Sequence, residues 1–174
     1  ELAAANLIGH SMGSLVALET AVRYAEKVTG LGLIATAAPM RVSDDLLNAA
    51  KANDRAAIDM ISLWGYGYRA ALGGCEAPGL WMLGGAERLL ERARPGVLFA
   101  DLSACNNYLN GMAAAATVAV PSIAILGSRD LMTPAKSGKT LAAAIPNCRL
   151  TVFEGAGHML MSERPDEVLA ALRS

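Results

Sequence analysis

The stretch Asn6-Leu7-Ile8-Gly9-His10-Ser11-Met12-Gly13-Ser14 constrains this chain more than any other. A short apolar run ends at Gly9 and a helical pattern begins just after Ser11, so a strand must turn sharply into a helix at that serine. Such a turn strains the backbone of its central residue, and glycines two before and two after it relieve the crowding. Gly9 and Gly13 hold those positions. The Ser11 hydroxyl is then raised clear of the sheet. Behind it lie the Met12 amide and the helix N-terminus, which favour an oxyanion. Taken alone, the pattern also fits a glycine-rich loop holding a surface serine, and 17 glycines in 174 residues bring it within reach of accident.

The surrounding pattern supplies a scaffold. Ala4 to Ile8 reads as a buried strand and Met12 to Ala25 as a helix, with Val16, Ala17, Thr20 and Ala21 at helical spacing. Gly30 to Ala35 is a second apolar strand without polar alternation, so both its faces should be covered. Strand, helix and strand in this order make a parallel unit with a right-handed crossover. From Arg41 to about Thr117 no strand pattern is visible. Ser43 and Asp54 are placed to cap helices over Asp44 to Ala52 and Arg55 to Leu63. Gly- and aromatic-rich turns follow, including Gly73-Gly74 and Pro78-Gly79. Helices are then expected over Ala86 to Ala93 and Val97 to Ala115, the latter with a break at Gly111. The strand pattern resumes over Pro121 to Gly127 and again over Arg149 to Glu154. Between them lies a helix over Ala135 to Ile145, and Pro165 begins a last helix.

Composition narrows the partners. A chain of 174 residues with 53% hydrophobic side chains forms a globular core, and a net charge of -1 without a basic block argues against nucleic acid. The longest uncharged apolar stretch, Met112 to Leu126, is short for a bilayer and is broken by Pro121, so no membrane partner is expected. Cys75, Cys105 and Cys148 form no C-x-x-C pair, which fits reduced, buried thiols in a cytoplasmic protein. The chain opens on Glu1. Glu1 to Ala5 reads as the tail of a helix that began upstream, so the chain is taken as the C-terminal part of a longer protein.

Three polar residues fall at the C-terminal ends of three strands: Ser11, Asp130 and His158. Ligands bind at that edge of an open parallel sheet. A serine hydroxyl is a weak nucleophile until a base takes its proton, and the base must be held in one tautomer by a carboxylate. Of the two histidines, His10 points away from Ser11 as its immediate neighbour, which leaves His158 as the base. Asp130 is the favoured acid, with Asp44 or Asp45 as rivals. No histidines pair with carboxylates at metal spacing, so neither a metal nor another cofactor is expected.

At this point the chain resembles the α/β-hydrolase family. Gly9-His10-Ser11-Met12-Gly13 is similar to its nucleophile elbow. Gly127-Ser128-Arg129-Asp130, with Pro134 following, is similar to its acid loop, and Gly155-Ala156-Gly157-His158 with Glu163-Arg164-Pro165 to its histidine loop. The order serine, acid, histidine is the family's. The resemblance implies an α/β fold with a mostly parallel sheet flanked by helices. Residues 1–40 and 117–174 would form a partial core and 41–116 a helical cap. It also implies that the early strands, and the loop giving a second oxyanion amide, are missing. Ser14 stands where many members have a further glycine.

The implied activity is hydrolysis of a small carboxylic ester through an acyl-enzyme. Ser11 would attack, His158 carry the proton, Asp130 orient it and Met12 hold the oxyanion. Thioesterase, lactonase, perhydrolase or carbon–carbon hydrolase chemistry is the near alternative, and a non-catalytic ligand-binding protein the remote one. His10 is placed in the pocket wall or in packing. Trp64, Trp81 and the neighbouring Met60, Tyr66, Tyr68 and Met82 suit either ordinary cap core or an apolar substrate wall.

Overall fold

The computed structural model describes residues 3–74 and 79–174. Cys75 and Pro78, and the first two residues of the expected N-terminal helix, lie outside that range. Ala3 and Ala4 are not helical. Ala5 already pairs with Val28 as the first residue of strand β1, Ala5–His10, so the run continues as a strand and not as a helix tail.

Helix α1, Met12–Arg23, follows at once, and a single 3-10 turn over Ala25–Lys27 leads into β2, Val28–Ile34. Among the described residues six helices come next: α2 Asp44–Lys51, α3 Arg55–Trp64, α4 Tyr68–Ala71, α5 Met82–Leu90, α6 Val97–Asn107 and α7 Gly111–Ala116. Then come β3 Ser122–Gly127, α8 Ala135–Ala144, β4 Arg149–Phe153, α9 Leu160–Glu163 and α10 Pro165–Arg173. The four strands are parallel in the order β1-β2-β3-β4. All active-edge loops therefore leave from the same end of the sheet.

Two apolar layers hold the sheet. On one face Leu18 and Ala21 of α1, Leu31 and Leu33 of β2, Ala114 and Ala115 of α7 and Leu141 of α8 form one buried cluster. On the other, Ile34, Ile123 and Ile125 pack with Leu160 and Val168. Strand β3 is buried along its whole length, as its unbroken apolar run requires.

The described part of 41–116 is helical, with caps where the sequence puts them. Ser43 Oγ accepts from Leu46 N at 3.4 Å and Asp54 Oδ1 from Ala56 N at 2.9 Å. Helices α2, α3 and α6 form their own cluster around Leu46, Ala50, Ala57 and Phe99. The expected last boundary shifts, however. Gly111 starts a separate helix, and α7 packs into the sheet core because its alanines let it lie close against α1 and α8. Helix α5 starts at Met82, four residues before the charged stretch, because Met82 is buried against Tyr66 and Ala70.

Strand β1 is the outermost strand on its side, and its Ile8 is 55% exposed. Beside it a cavity of about 520 Å³ runs along β1 and β2 past Leu7, Gly30 and Leu172, away from Ser11. An apolar edge strand with free backbone groups is a template for pairing. The chain should therefore self-associate as its concentration rises, and Ile8→Lys should reduce this. Size-exclusion chromatography with light scattering checks it, and a concentration-independent monomer for the unmodified chain would refute it.

Candidate active site

Ser11 occupies the turn between β1 and α1 with φ 53° and ψ -121°, a left-handed backbone that costs a non-glycine residue of order 1–3 kcal/mol. Three bonds over-determine it. Ser11 N donates to Ile34 O at 2.9 Å, and Ser14 N donates to Ser11 O at 2.8 Å. Ser14 Oγ donates to the same carbonyl at 2.5 Å and lies 2.8 Å from Thr36 Oγ1. Ser14, fully buried, thus clamps the elbow, a role that its position in the motif does not reveal. The two glycines are not equivalent. A Cβ on Gly9 would lie 2.0 Å from Gly13 O, so β1 and α1 approach too closely for any side chain there. A Cβ on Gly13 would meet open space, which corrects the expectation that crowding demands both glycines.

The acid loop follows β3. Asp130 is buried, and four donors surround its carboxylate. Met132 N and Thr133 N donate to Oδ1 at 2.8 and 2.7 Å. Thr133 Oγ1 donates to Oδ2 at 2.7 Å, and His158 Nδ1 does so at 2.9 Å. Burial pushes the Asp130 carboxyl up, but the bonds from His158 and Thr133 outweigh it and hold it below its ordinary value. Asp44 and Asp45 are exposed in the first turn of α2, so the rival acids are not the partners of His158. Thr133 escapes sequence reading. Its signal is local: a hydroxyl three residues after an aspartate, where it can close a turn.

His158 follows β4 in a loop bound on several sides. His158 N and Met159 N both donate to Gly65 O, at 3.0 and 2.9 Å. Glu163, buried, accepts from Gly157 N at 3.0 Å and from Gly67 N at 3.2 Å, which joins this loop to the segment after α3. The acid and histidine loops touch directly: a Cβ on Gly127 would lie 2.2 Å from Gly157 O. Since a carboxylate only accepts, His158 Nδ1 carries a hydrogen, and in the neutral ring Nε2 holds the lone pair. Among the described residues Ser11 Oγ has no hydrogen-bond partner.

Of the two places expected for His10, the pocket wall and packing, it takes the second, against the His158 loop. Its Nε2 lies 2.8 Å from His158 O, and a carbonyl only accepts, so Nε2 bears hydrogen. The two imidazole rings lie 4.7 Å apart. Burial, reinforced by the His158 charge, pulls His10 down to about 4, so it is neutral in neutral solution.

A cavity of about 820 Å³ opens from Ser11 and Met12 under the covering helices. Trp64, Leu46 and Leu98 line it from the helices, and Met132 and Thr133 from the acid loop. Trp64 also packs in the cluster of α2, α3 and α6, so it belongs both to that core and to the cavity wall. Trp81 lies in neither: it is 69% exposed and lies over Gly84 of its own helix, where a Cβ would come within 2.2 Å of the ring. Met12, as first residue of α1, presents an amide that has no intrahelical acceptor. Among the described residues no cluster of metal-ligating side chains occurs, and no helix is long and apolar enough to cross a membrane.

The profile of the Alpha/beta hydrolase family matches residues 2–171. A pimeloyl-[acyl-carrier protein] methyl ester esterase of Chromobacterium violaceum is 31% identical over 97% of this chain and 68% of its own length. The structure of a thermophilic esterase is 30% identical with a TM-score of 0.81, covering 98% of this chain. This chain spans 64% of that structure's length. An enol-lactonase from Burkholderia xenovorans shares the fold, with a TM-score of 0.85 at 22% identity.

The Asp130 geometry generates a test. A carboxyl held below its ordinary value stabilises the fold above the unfolded value near 3.8 and loses that contribution as pH falls through the lower folded value. Thr133→Val removes one charge-assisted bond, and should cost about 1.5–3 kcal/mol at pH 7. It should cost less in acid, once the pH falls below the lowered folded value and the carboxyl is protonated. Urea unfolding at both pH values measures the difference. An equal loss at both would show that the Thr133–Asp130 bond is not its source.

Proposed function

Because the chain belongs to the α/β-hydrolase family, we propose that it carries the triad of a serine hydrolase that cleaves carboxylic esters through an acyl-enzyme. The observation that carries this reading is the buried Asp130–His158 pair, bonded through Nδ1, at the same sheet edge as the strained Ser11 turn. The names of the two esterase relatives support it.

In this mechanism His158 Nε2 takes the Ser11 proton as Oγ attacks the ester carbonyl carbon. Asp130 keeps the ring in the tautomer that can accept, and stabilises the imidazolium that forms. The tetrahedral oxyanion lies at the Met12 amide, where a helix N-terminus adds a fixed positive potential. The intermediate collapses as His158 returns the proton to the departing alkoxide oxygen. The alcohol leaves and Ser11 holds the acyl group. Water then attacks the acyl carbon, giving its proton to His158, and the second collapse releases the acid and restores the serine. No step requires a metal or organic cofactor.

The cavity lining supports an apolar substrate. Its wall is rich in leucine and methionine, with Trp64 at one side, and methionine adapts to irregular chains. About 820 Å³ lies within the usual range for a small-molecule site. An apolar acyl or alcohol group of moderate length fits that wall. The same steps would act on a thioester or a lactone, and matched oxygen- and thioester substrates discriminate between them.

Two measurements test the reading in the complete protein. Ser11→Ala should lower nitrophenyl-ester turnover by at least about a thousandfold and abolish labelling by a fluorophosphonate. A protein that neither turns over esters nor takes the label would point to a ligand-binding role. Trp64→Ala should shift the preferred acyl length while leaving the rate with a small phosphonate within about threefold, since one missing pocket contact of this kind is worth about 1–3 kcal/mol of discrimination. An unchanged chain-length profile would remove Trp64 from the substrate wall.

A further inference from the structure

We propose that His10 is a positioning residue for the ester hydrolysis described above: its Nε2–H bond to the His158 carbonyl holds the base in register with the nucleophile. The inference rests on that reading of Ser11 and His158, and concerns a side chain that the reaction itself does not use.

The placement follows from the strand. Asn6, Ile8 and His10 share one face of β1, since side chains alternate along a strand. Asn6 and Ile8 are exposed on that face, whereas His10 is half-buried because the His158 loop folds over it. The bond is 2.8 Å long and joins residues 148 apart in sequence. His158 has other anchors, but they lead elsewhere. Its amide is held by Gly65, and Glu163 ties Gly157 to Gly67. Among the described residues, the His10 bond is the one that links the His158 loop directly to the turn bearing Ser11. Nucleophile and brace are consecutive residues, so the distance from Oγ to the base is fixed through a short covalent path.

The chemistry of histidine suits this place. The rings of His10 and His158 lie 4.7 Å apart, and His158 becomes cationic during each proton transfer. A lysine or arginine donor at position 10 would repel that charge in a site largely removed from water. A neutral imidazole donates the same bond and adds no charge. Its burial keeps it neutral while His158 cycles. Misplacing a catalytic group by about 1 Å can lower a rate roughly a hundredfold, so a lost brace registers in kcat.

The test uses His10→Phe, which keeps the ring and removes the donor, and His10→Gln, whose side-chain amide restores an N–H at similar reach. In the complete protein, His10→Phe should lower kcat for a short nitrophenyl ester by roughly 10–100-fold, with KM within about twofold and an unchanged melting temperature. His10→Gln should recover most of that loss. Equal kcat for the two variants, or full activity in His10→Phe, overturns the proposal. A second readout needs no turnover: the low-field proton resonance of the His158 Nδ1–H···Asp130 bond should broaden or shift upfield in His10→Phe and persist in His10→Gln. An identical resonance in all three proteins overturns it too. Undiminished turnover in Ser11→Ala would instead sink the acyl-enzyme reading and leave the resonance to decide whether His10 braces the loop.

Discussion

A carboxylate with 1% of its side chain exposed stays ionised only where donors replace the water it has lost. Asp130 has four such donors, two from the backbone of its own turn, one from Thr133 Oγ1 and one from His158. This arrangement fixes more than a charge. It determines which His158 nitrogen bears hydrogen, and therefore which nitrogen can receive one. It also explains the crowded glycines of both loops. Gly127 and Gly157 lie so close that side chains would hold the loops apart and leave the carboxylate short of a donor.

The same logic of close approach governs the elbow. Gly9 packs onto the backbone of Gly13, which sets the angle between β1 and α1 and forces Ser11 into a left-handed conformation. Strain of that kind persists only where neighbours over-determine it. Here the neighbours are the Ile34 carbonyl, which anchors the turn to β2, and Ser14, which reaches both Ser11 O and Thr36. The position of Ser11 is thus a property of the sheet core and not of a free loop.

The covering helices contribute in two separate ways. Helices α2, α3 and α6 enclose the apolar cavity above Ser11, with Trp64 in its wall. The segment just after α3 does something different: Gly65 O and Gly67 N bind the histidine loop. The cavity wall and the placement of His158 are therefore coupled through one stretch of chain. A change at the end of α3 that alters the cavity would also disturb His158.

Local pattern in the sequence determined the parallel strands, the helix caps at Ser43 and Asp54, and the three loops bearing Ser11, Asp130 and His158. Each of these depends on neighbours in the chain, on apolar periodicity or on a capping side chain, so a single sequence suffices to read it. Other features depend on contacts between distant segments. Trp81 and Trp64 look alike in sequence, yet only Trp64 faces the cavity, because α5 folds Trp81 onto its own Gly84. Helix α7 reads as part of the covering insert, but its small side chains let it join the core beneath α1. Ser14, Thr133, Glu163 and His10 are ordinary polar residues until folding brings a carbonyl, a carboxylate or an amide within 3.2 Å of each. Residue type and local spacing define which groups can do chemistry. Their precise aim comes from hydrogen bonds across the fold, whose partners no local pattern encodes.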